Sequence, residues 1–210
     1  SADQRQGRAG RTAPGVCYRL WDEAETRGLV AFDRPEMLEA DLSGLVLDLG
    51  RWGARSPDGL LFLDPPPAGA WQQAVSELKR MGALDDGGGL TEHGQRISEM
   101  PMPARLGHMV VQAAGRGEAG TATRVAVLLT ERGLGGTDTD LVHRLERLDR
   151  DGSGRAREGR ALADRWARLA GPGDRDDAPD VGLLLAEAFP ERIARARGKL
   201  KARRVIEKPQ

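Results

Sequence analysis

Three arginines stand close together near the start of the chain, where residues 4–11 read QRQGRAGR. Guanidinium groups stay charged and bind phosphate oxygens in a fork, so this cluster predicts a site for one anion. Arg8 and Arg11 are three residues apart, a spacing that brings two side chains together on a helix. Arginines held in this way can stabilise the charge that develops during phosphoryl transfer. The spacing alone fits a basic segment without a ligand equally well, so both interpretations stay open here.

The amino-acid composition excludes few classes of function. The 210 residues contain 32 Lys and Arg and 32 Asp and Glu, so net charge gives no argument for a nucleic-acid partner. No apolar run approaches the roughly 20 residues of a membrane span. The chain has no secretory signal and begins without Met, so we expect a piece of a longer cytoplasmic protein that does not contact membranes.

The element that follows the arginine cluster is predicted to be a strand. Residues 15–21, GVCYRLW, are rich in residues that favour strands, and Cys17 is expected to be buried there. Because Cys17 is the only cysteine, an internal disulfide is excluded.

Two helices are predicted between residues 33 and 82. Asp33 and Pro35 resemble a helix start, and leucines at positions 38, 42, 45 and 49 continue one apolar face toward Gly50 or Gly53. A second face runs from Trp71 to Met81 and closes at Gly82. Trp52 and Trp71 have helical-face spacing and are expected in the core.

A short hairpin is predicted after the second helix. Residues 83–91, ALDDGGGLT, place two very short apolar segments around a glycine-rich turn. Two helices followed by a hairpin within about 60 residues favour a winged-helix module.

Beyond Thr91 the pattern is helical, which makes the predicted fold mainly α. Four apolar faces are separated by short breakers, as in a helical bundle. Their members are Leu106, Met109, Val110 and Ala113; Val125, Leu128 and Leu129; Leu141, Val142, Leu145 and Leu148; and Leu162, Trp166 and Leu169. A polar linker over 171–179 and a short helix from Val181 to Phe189 follow.

The helices between residues 141 and 170 interleave arginines with acids. Mixed charges at these spacings favour a solvated, ion-paired face. A groove that follows a single-stranded nucleic acid is the alternative. The histidines at 93, 108 and 143 have no metal-ligand spacing, so no metal site is predicted.

Several of these segments together resemble the DEAH-type superfamily 2 helicases. Residues 4–12 resemble motif VI of that family, and residues 13–21 its following strand. LDPPP at 63–67 and GALD at 82–85 resemble its winged helix, while LTEHG at 90–94, PMP at 101–103 and RL at 105–106 resemble the entry to its helical ratchet domain. LTER at 129–132 and FPERI at 189–193 are similar to the bacterial HrpB type.

The resemblance implies a division of the chain. Residues 1–33 would end the second RecA-like α/β lobe, 34–91 would form the winged helix, and 92–198 the helical-bundle ratchet domain. Residues 199–210 are an unassigned tail.

It also implies roles for named residues. Gln4 would position the attacking water or the γ-phosphate, and Arg8 and Arg11 would be arginine fingers between two RecA-like lobes. Gly7 and Gly10 would permit a tight backbone beside the nucleotide. Arg5 would pack structurally.

The implied function is the C-terminal part of an ATP-dependent helicase. Its partners would be the preceding RecA-like lobes and single-stranded nucleic acid, with RNA favoured over DNA. Arg105 and Arg124 are weak candidates for contacts in the single-strand channel. ATP with Mg²⁺ would be the cofactor of the longer protein.

The chain itself carries no G-x-x-x-x-G-K-[ST] phosphate loop. The acidic residues 22–25, DEAE, follow motif VI, whereas the family's acidic box precedes it, so they are interpreted as an acidic turn. The chain alone is therefore expected neither to bind nor to hydrolyse ATP. A winged-helix nucleic-acid-binding or protein-docking module without enzymatic activity is the alternative.

Overall fold

The computed structural model describes residues 2–28, 36–38, 40–171 and 180–194. These residues form ten α-helices, two 3₁₀ turns (Glu36–Leu38 and Pro190–Arg192) and one isolated β-bridge, so the predicted mainly α fold is confirmed. The helices are α1 (Ala2–Ala9), α2 (Glu23–Gly28), α3 (Ser43–Arg51), α4 (Ala68–Arg80), α5 (Glu92–Glu99), α6 (Ala104–Arg116), α7 (Ala119–Thr130), α8 (Leu141–Arg150), α9 (Gly154–Ala170) and α10 (Val181–Ala188). None of these helices is long and apolar enough to cross a membrane. The division into lobe, winged helix and ratchet stays a prediction.

The predicted strand at 15–21 is wrong, because no backbone in the described residues lies beside it to form a ladder. Tyr18 and Leu20 are 83% and 94% exposed, and Cys17 is exposed rather than buried. The segment is tied to α1 instead, since Arg19 Nη2 donates to Asp3 Oδ1 at 2.6 Å and to Gln6 Oε1 at 3.0 Å.

The first predicted helix is shorter than its leucine pattern suggested. Its proposed start at 33–35 lies outside the described residues, and α3 begins only at Ser43. Asp41 Oδ1 accepts from both the backbone N and the Oγ of Ser43, at 2.9 and 2.7 Å, a local side-chain turn that favours a helix start there. Leu42 and Leu49 are buried as predicted, whereas Leu38 is half exposed.

The two tryptophans have different environments. Trp71 lies on the buried face of α4, as predicted. Trp52 is 78% exposed because α3 ends at Arg51, and the chain turns away at Gly53 with a φ of +82°. The core position predicted for Trp52 is therefore wrong.

The predicted hairpin is present in its smallest form. Leu84 and Leu90 form an antiparallel bridge, Thr91 N donates to Ala83 O at 3.0 Å, and Asp85 N donates to Gly89 O at 2.9 Å. The hairpin leads directly into α5, which packs against α3 and α6. Thr91 Oγ1 caps α5 by accepting from Gly94 N at 3.0 Å.

One continuous core connects these elements to the bundle. Helix α6 packs against α5, α7 and α10, and α9 packs against α7. The predicted face of α6 is buried throughout, as are Val125, Leu128, Leu148 and Trp166. Leu129, Val142 and Leu169 are exposed, contrary to prediction. Leu129 follows the buried Leu128, Leu169 precedes the buried Ala170, and Val142 follows the partly buried Leu141. Adjacent residues lie about 100° apart around a helix, so each of the three points away from the buried side.

Replacing Gly94 by alanine is expected to destabilise the chain by about 2 kcal/mol through overpacking. A Cβ at Gly94 would lie 2.0 Å from Ala83 O, so α5 and the hairpin would have to separate. Urea unfolding of the variant gives the measurement. Gly115→Ala in α6, where a Cβ meets nothing within 4 Å, is the matched control and is expected to be neutral or stabilising. Equal stability of the two variants would contradict the close approach at Gly94.

Candidate functional site

The predicted phosphate-binding residues lie on and just after α1. Gln4 and Arg8 belong to the helix, whereas Arg11 lies in the turn that follows it. All three side chains are exposed. Within the described residues neither Arg8 nor Arg11 makes an ion pair or a side-chain hydrogen bond. The guanidinium groups of Arg8 and Arg11 are thus accessible to an external anion. The spacing of the two arginines predicted that both lie on a helix, but only Arg8 does.

Gly7 and Gly10 are not constrained to be glycine by the described residues. Neither has a positive φ, and a Cβ at either position would meet nothing within 4 Å. A close approach of another group at these two positions stays a prediction.

The acidic run after this segment has a structural role. Asp22 Oδ1 accepts from Glu25 N at 2.9 Å, which caps the first turn of the short helix α2. Among the described residues, no cluster of three or more His, Cys, Asp or Glu side chains could hold a metal ion.

Arg105, a candidate nucleic-acid contact, joins three elements. Its Nε contacts Glu77 of α4, and its Nη1 donates to both carboxylate oxygens of Glu191 at 2.9 Å. The Glu77 side chain is only 11% exposed. Burial lowers the pKa of Arg105, but the hydrogen bond to Glu191 and the charges of Glu77 and Glu191 outweigh it and raise that pKa. The partly exposed guanidinium is therefore held between two carboxylates.

Arg116 makes a second bridge at the other end of α6. It contacts Glu118 at 2.7 Å and both carboxylate oxygens of Glu187 in α10, at 2.7 and 3.2 Å. The hydrogen bond to Glu187 is the main cause of a raised pKa of Arg116. Arg105 and Arg116, near the two ends of α6, thus form ion pairs with α10 and with the 3₁₀ turn that follows it.

Arg124, the other candidate nucleic-acid contact, faces α8. Its Nη1 lies 3.7 Å from Asp149 Oδ1. The nucleic-acid roles of Arg105 and Arg124 stay predictions.

The arginines of α8 and α9 bind backbone carbonyls as well as acids. Arg144 Nη2 donates to Leu128 O at 2.9 Å and to Leu134 O at 3.0 Å. Arg155 donates to Arg132 O, and Arg160 Nη1 donates to Asp151 O at 2.9 Å. These carbonyls lie at or beyond the ends of α7 and α8, where the helix leaves them without an internal partner. The ion-paired face predicted here is therefore only part of the role of these arginines.

No protein-family model matches the chain. ATP-dependent RNA helicase HrpB of Escherichia coli (strain K12) is 35% identical over 200 residues, which are 95% of this chain and 24% of HrpB. Probable ATP-dependent RNA helicase DHX34 of Mus musculus is 37% identical over 111 residues, 53% of this chain and 10% of DHX34. Two crystal structures of E. coli HrpB, named a DExH-box NTPase and a DEAH/RHA helicase, match with TM-scores of 0.66 and 0.71 at 32% and 31% identity. Each match covers 94% of this chain and 24% of the crystallised chain.

The chain is homologous to the DExH-box RNA helicases of the HrpB type. The family resemblance found in the sequence is thereby confirmed. The chain spans about a quarter (24%) of the length of HrpB.

In this helicase homologue, sequence reasoning missed a histidine pair between α5 and α6. His93 Nε2 and His108 Nδ1 are 2.8 Å apart, and the two rings meet edge to face. Burial lowers the pKa of both histidines, and the charges of His108 and Arg96 lower that of His93 further. The only signal for this pair in the sequence was one histidine in each of the segments that form α5 and α6.

We expect the free energy of unfolding to fall as pH decreases below about 6.5, the ordinary pKa of histidine. Both pKa values are lowered in the folded chain, so the unfolded chain binds more protons in that range. Stability is therefore fully present above pH 6.5 and is lost on acidification toward the folded-state pKa values. Urea unfolding from pH 7.5 to 5 tests this.

The double variant His93→Gln/His108→Gln should show a shallower pH dependence than the parent chain. His143→Gln is the control, because His143 is exposed and contacts Asp138 at 3.3 Å. The same slope in the parent and the double variant would exclude the pair as its source.

Proposed function

We propose that the chain is the C-terminal part of an ATP-dependent helicase that moves single-stranded nucleic acid, with RNA as its substrate. The observation that carries this proposal is the similarity to HrpB along 95% of the chain. HrpB and DHX34 are named as ATP-dependent RNA helicases, which favours RNA over DNA. In this proposal residues 1–33 complete a RecA-like lobe, 34–91 form the winged helix and 92–198 the ratchet domain.

The residues on and after α1 have the chemistry to bind the phosphates of ATP. Arg8 and Arg11 are exposed and have no ion-pair partner within the described residues. Two unpaired guanidinium groups match the negative charge and the oxygen geometry of a polyphosphate. ATP with Mg²⁺ supplies the phosphoanhydride bond whose hydrolysis drives the helicase.

The roles of this chain are electrostatic and positional. Arg8 and Arg11 stabilise negative charge on the transferred phosphoryl group from the side opposite the phosphate loop. Gln4 orients the attacking water. Gly7 and Gly10 let the neighbouring lobe approach the backbone of this segment.

The preceding RecA-like lobes supply the groups that this chain lacks. The sequence has no phosphate loop, and Asp22 is used to cap α2. The chain alone is therefore inactive toward ATP, and the lobes are its main partners. The winged helix and ratchet form one side of the single-strand channel, in which Arg105 and Arg124 remain weak candidates for contacts.

Duplex unwinding by the longer protein tests this proposal. We expect an RNA duplex with a single-stranded overhang to be separated when ATP is present and to stay intact with a non-hydrolysable analogue. Tight binding of a blunt duplex without any ATP-dependent unwinding would favour the non-enzymatic winged-helix module instead.

A further inference from the structure

The loop between α7 and α8 combines glycines with unusual backbone geometry. Residues 132–136 read RGLGG, and Gly133, Gly135 and Gly136 have φ values of +79°, +67° and +79°. Within the described residues, no backbone N–H of 132–137 donates a hydrogen bond. Turns of this kind with free N–H groups form concavities that favour anions.

Arginines from three elements border this loop. Arg147 of α8 brings its Nη1 to 2.9 Å from the position of a Cβ at Gly136, and Arg155 of α9 brings its Nη1 to 3.6 Å from that of Gly133. Arg132 lies in the loop itself and is exposed. A side chain at Gly136 would therefore displace the guanidinium of Arg147.

The three arginines at this loop make few ion pairs among the described residues. Arg147 has one acidic neighbour, Asp138, at 3.6 Å. Within the described residues, Arg132 and Arg155 have no carboxylate within ion-pair distance. The neighbouring acid Glu131 has no basic partner within that distance either. Arg155 donates to Arg132 O through Nη2, whereas the atom that faces Gly133 is its Nη1. Arg144 is not part of the site, because its Nη2 donates to two backbone carbonyls and no atom of its guanidinium borders the glycines.

We propose that residues 132–136, together with Arg147 and Arg155, bind the phosphate backbone of single-stranded nucleic acid. We name this set the arginine loop. Guanidinium forks and free backbone N–H groups are the donors that proteins use for phosphodiester oxygens. The inference rests on the proposed function and adds a site to it, since Arg105 is held by Glu77 and Glu191.

Binding of a fluorescent oligo-uridine RNA to the 210-residue chain, measured by anisotropy at several salt concentrations, tests the arginine loop. The double variant Arg132→Gln/Arg147→Gln removes two charges, and neither side chain supports a helix carbonyl in the described residues. We expect its affinity to fall roughly tenfold or more. The slope of log affinity against log salt should decrease by about 1.4, or about 0.7 for each lost phosphate contact.

The matched control is Arg165→Gln/Arg168→Gln, which removes the same charge from exposed positions on α9. Arg165 is ten residues beyond Arg155, about 15 Å along the helix. Circular dichroism and thermal melting confirm that both double variants fold.

The possible outcomes separate the two proposals. Weaker binding by the loop variant and unchanged binding by the control would support the arginine loop. Equal binding by the loop variant and the parent would overturn the arginine loop and leave the helicase proposal in place. No binding of RNA by the parent chain at low salt would overturn the arginine loop and would also count against a channel surface on this chain.

Discussion

Replacing Arg11 by alanine in the longer protein, the proposed helicase, is expected to lower the rate of ATP hydrolysis by about a thousandfold, the lower end of the effect of an arginine finger. Arg8→Ala is expected to have a similar effect. Both guanidinium groups are exposed and without ion-pair partners in the described residues, so their removal disturbs no internal contact. The measurement is kcat for ATP with saturating single-stranded RNA.

The controls for this experiment come from the same segment. Arg5→Ala removes an equal charge one turn earlier in α1 and should change kcat little, because Arg5 has only a structural role in the proposal. Binding of a fluorescent ADP should be largely preserved in all three variants, since an arginine finger acts mainly on the transition state. A kcat unchanged in both Arg8→Ala and Arg11→Ala would refute their assignment.

Replacing Arg105 by alanine is expected to reduce the free energy of unfolding by about 3 kcal/mol, the cost of breaking a buried pair from one side. The change leaves Glu77, whose side chain is 11% exposed, without its cation, and releases Glu191 from α6. Urea unfolding of the 210-residue chain gives the value. The pair joins α4 to α6, so the loss should appear in the cooperative transition of the whole chain.

A double-mutant cycle separates pairing from packing. Arg105→Ala/Glu77→Gln should recover part of the lost stability, because the buried carboxylate is no longer charged. Arg165→Ala, at an exposed position on α9, is the control and should change stability by less than about 0.5 kcal/mol. A loss of similar size in Arg165→Ala, or no recovery in the double variant, would contradict the bridging role of Arg105.

Local signals in the sequence predicted the elements that depend on neighbouring residues. The hairpin at 83–91 and the end of α4 just before Gly82 follow from turn chemistry within a few residues. The buried face of α6 follows from helical periodicity. These features need no knowledge of the rest of the fold.

Features that depend on distant or external groups could not be predicted in this way. A strand at 15–21 requires a neighbouring strand, and the described residues provide none. Glu77 and Glu191 are 28 and 86 positions away from Arg105, so no local pattern links them. The arginine loop was equally hidden, because α7, α8 and α9 must pack before Arg147 and Arg155 meet its glycines.

The candidate ATP site was likewise predicted in part by local signals and in part only by distant ones. The residue types and spacing of 4–11 indicated phosphate chemistry, but the spacing alone did not distinguish a ligand site from a basic segment. Motifs farther along the chain favoured the helicase interpretation, and homology with HrpB confirms the family. In the proposed function, the geometry around the nucleotide depends on RecA-like lobes that lie outside this chain.

Steady-state ATP hydrolysis, measured for the longer protein and for the 210-residue chain with and without single-stranded RNA, tests the central claim most directly. The account predicts hydrolysis by the longer protein that RNA stimulates and that is lost in Arg8→Ala and Arg11→Ala, with none by the chain alone. RNA-stimulated hydrolysis by the isolated chain, or an inactive but folded longer protein, would contradict it.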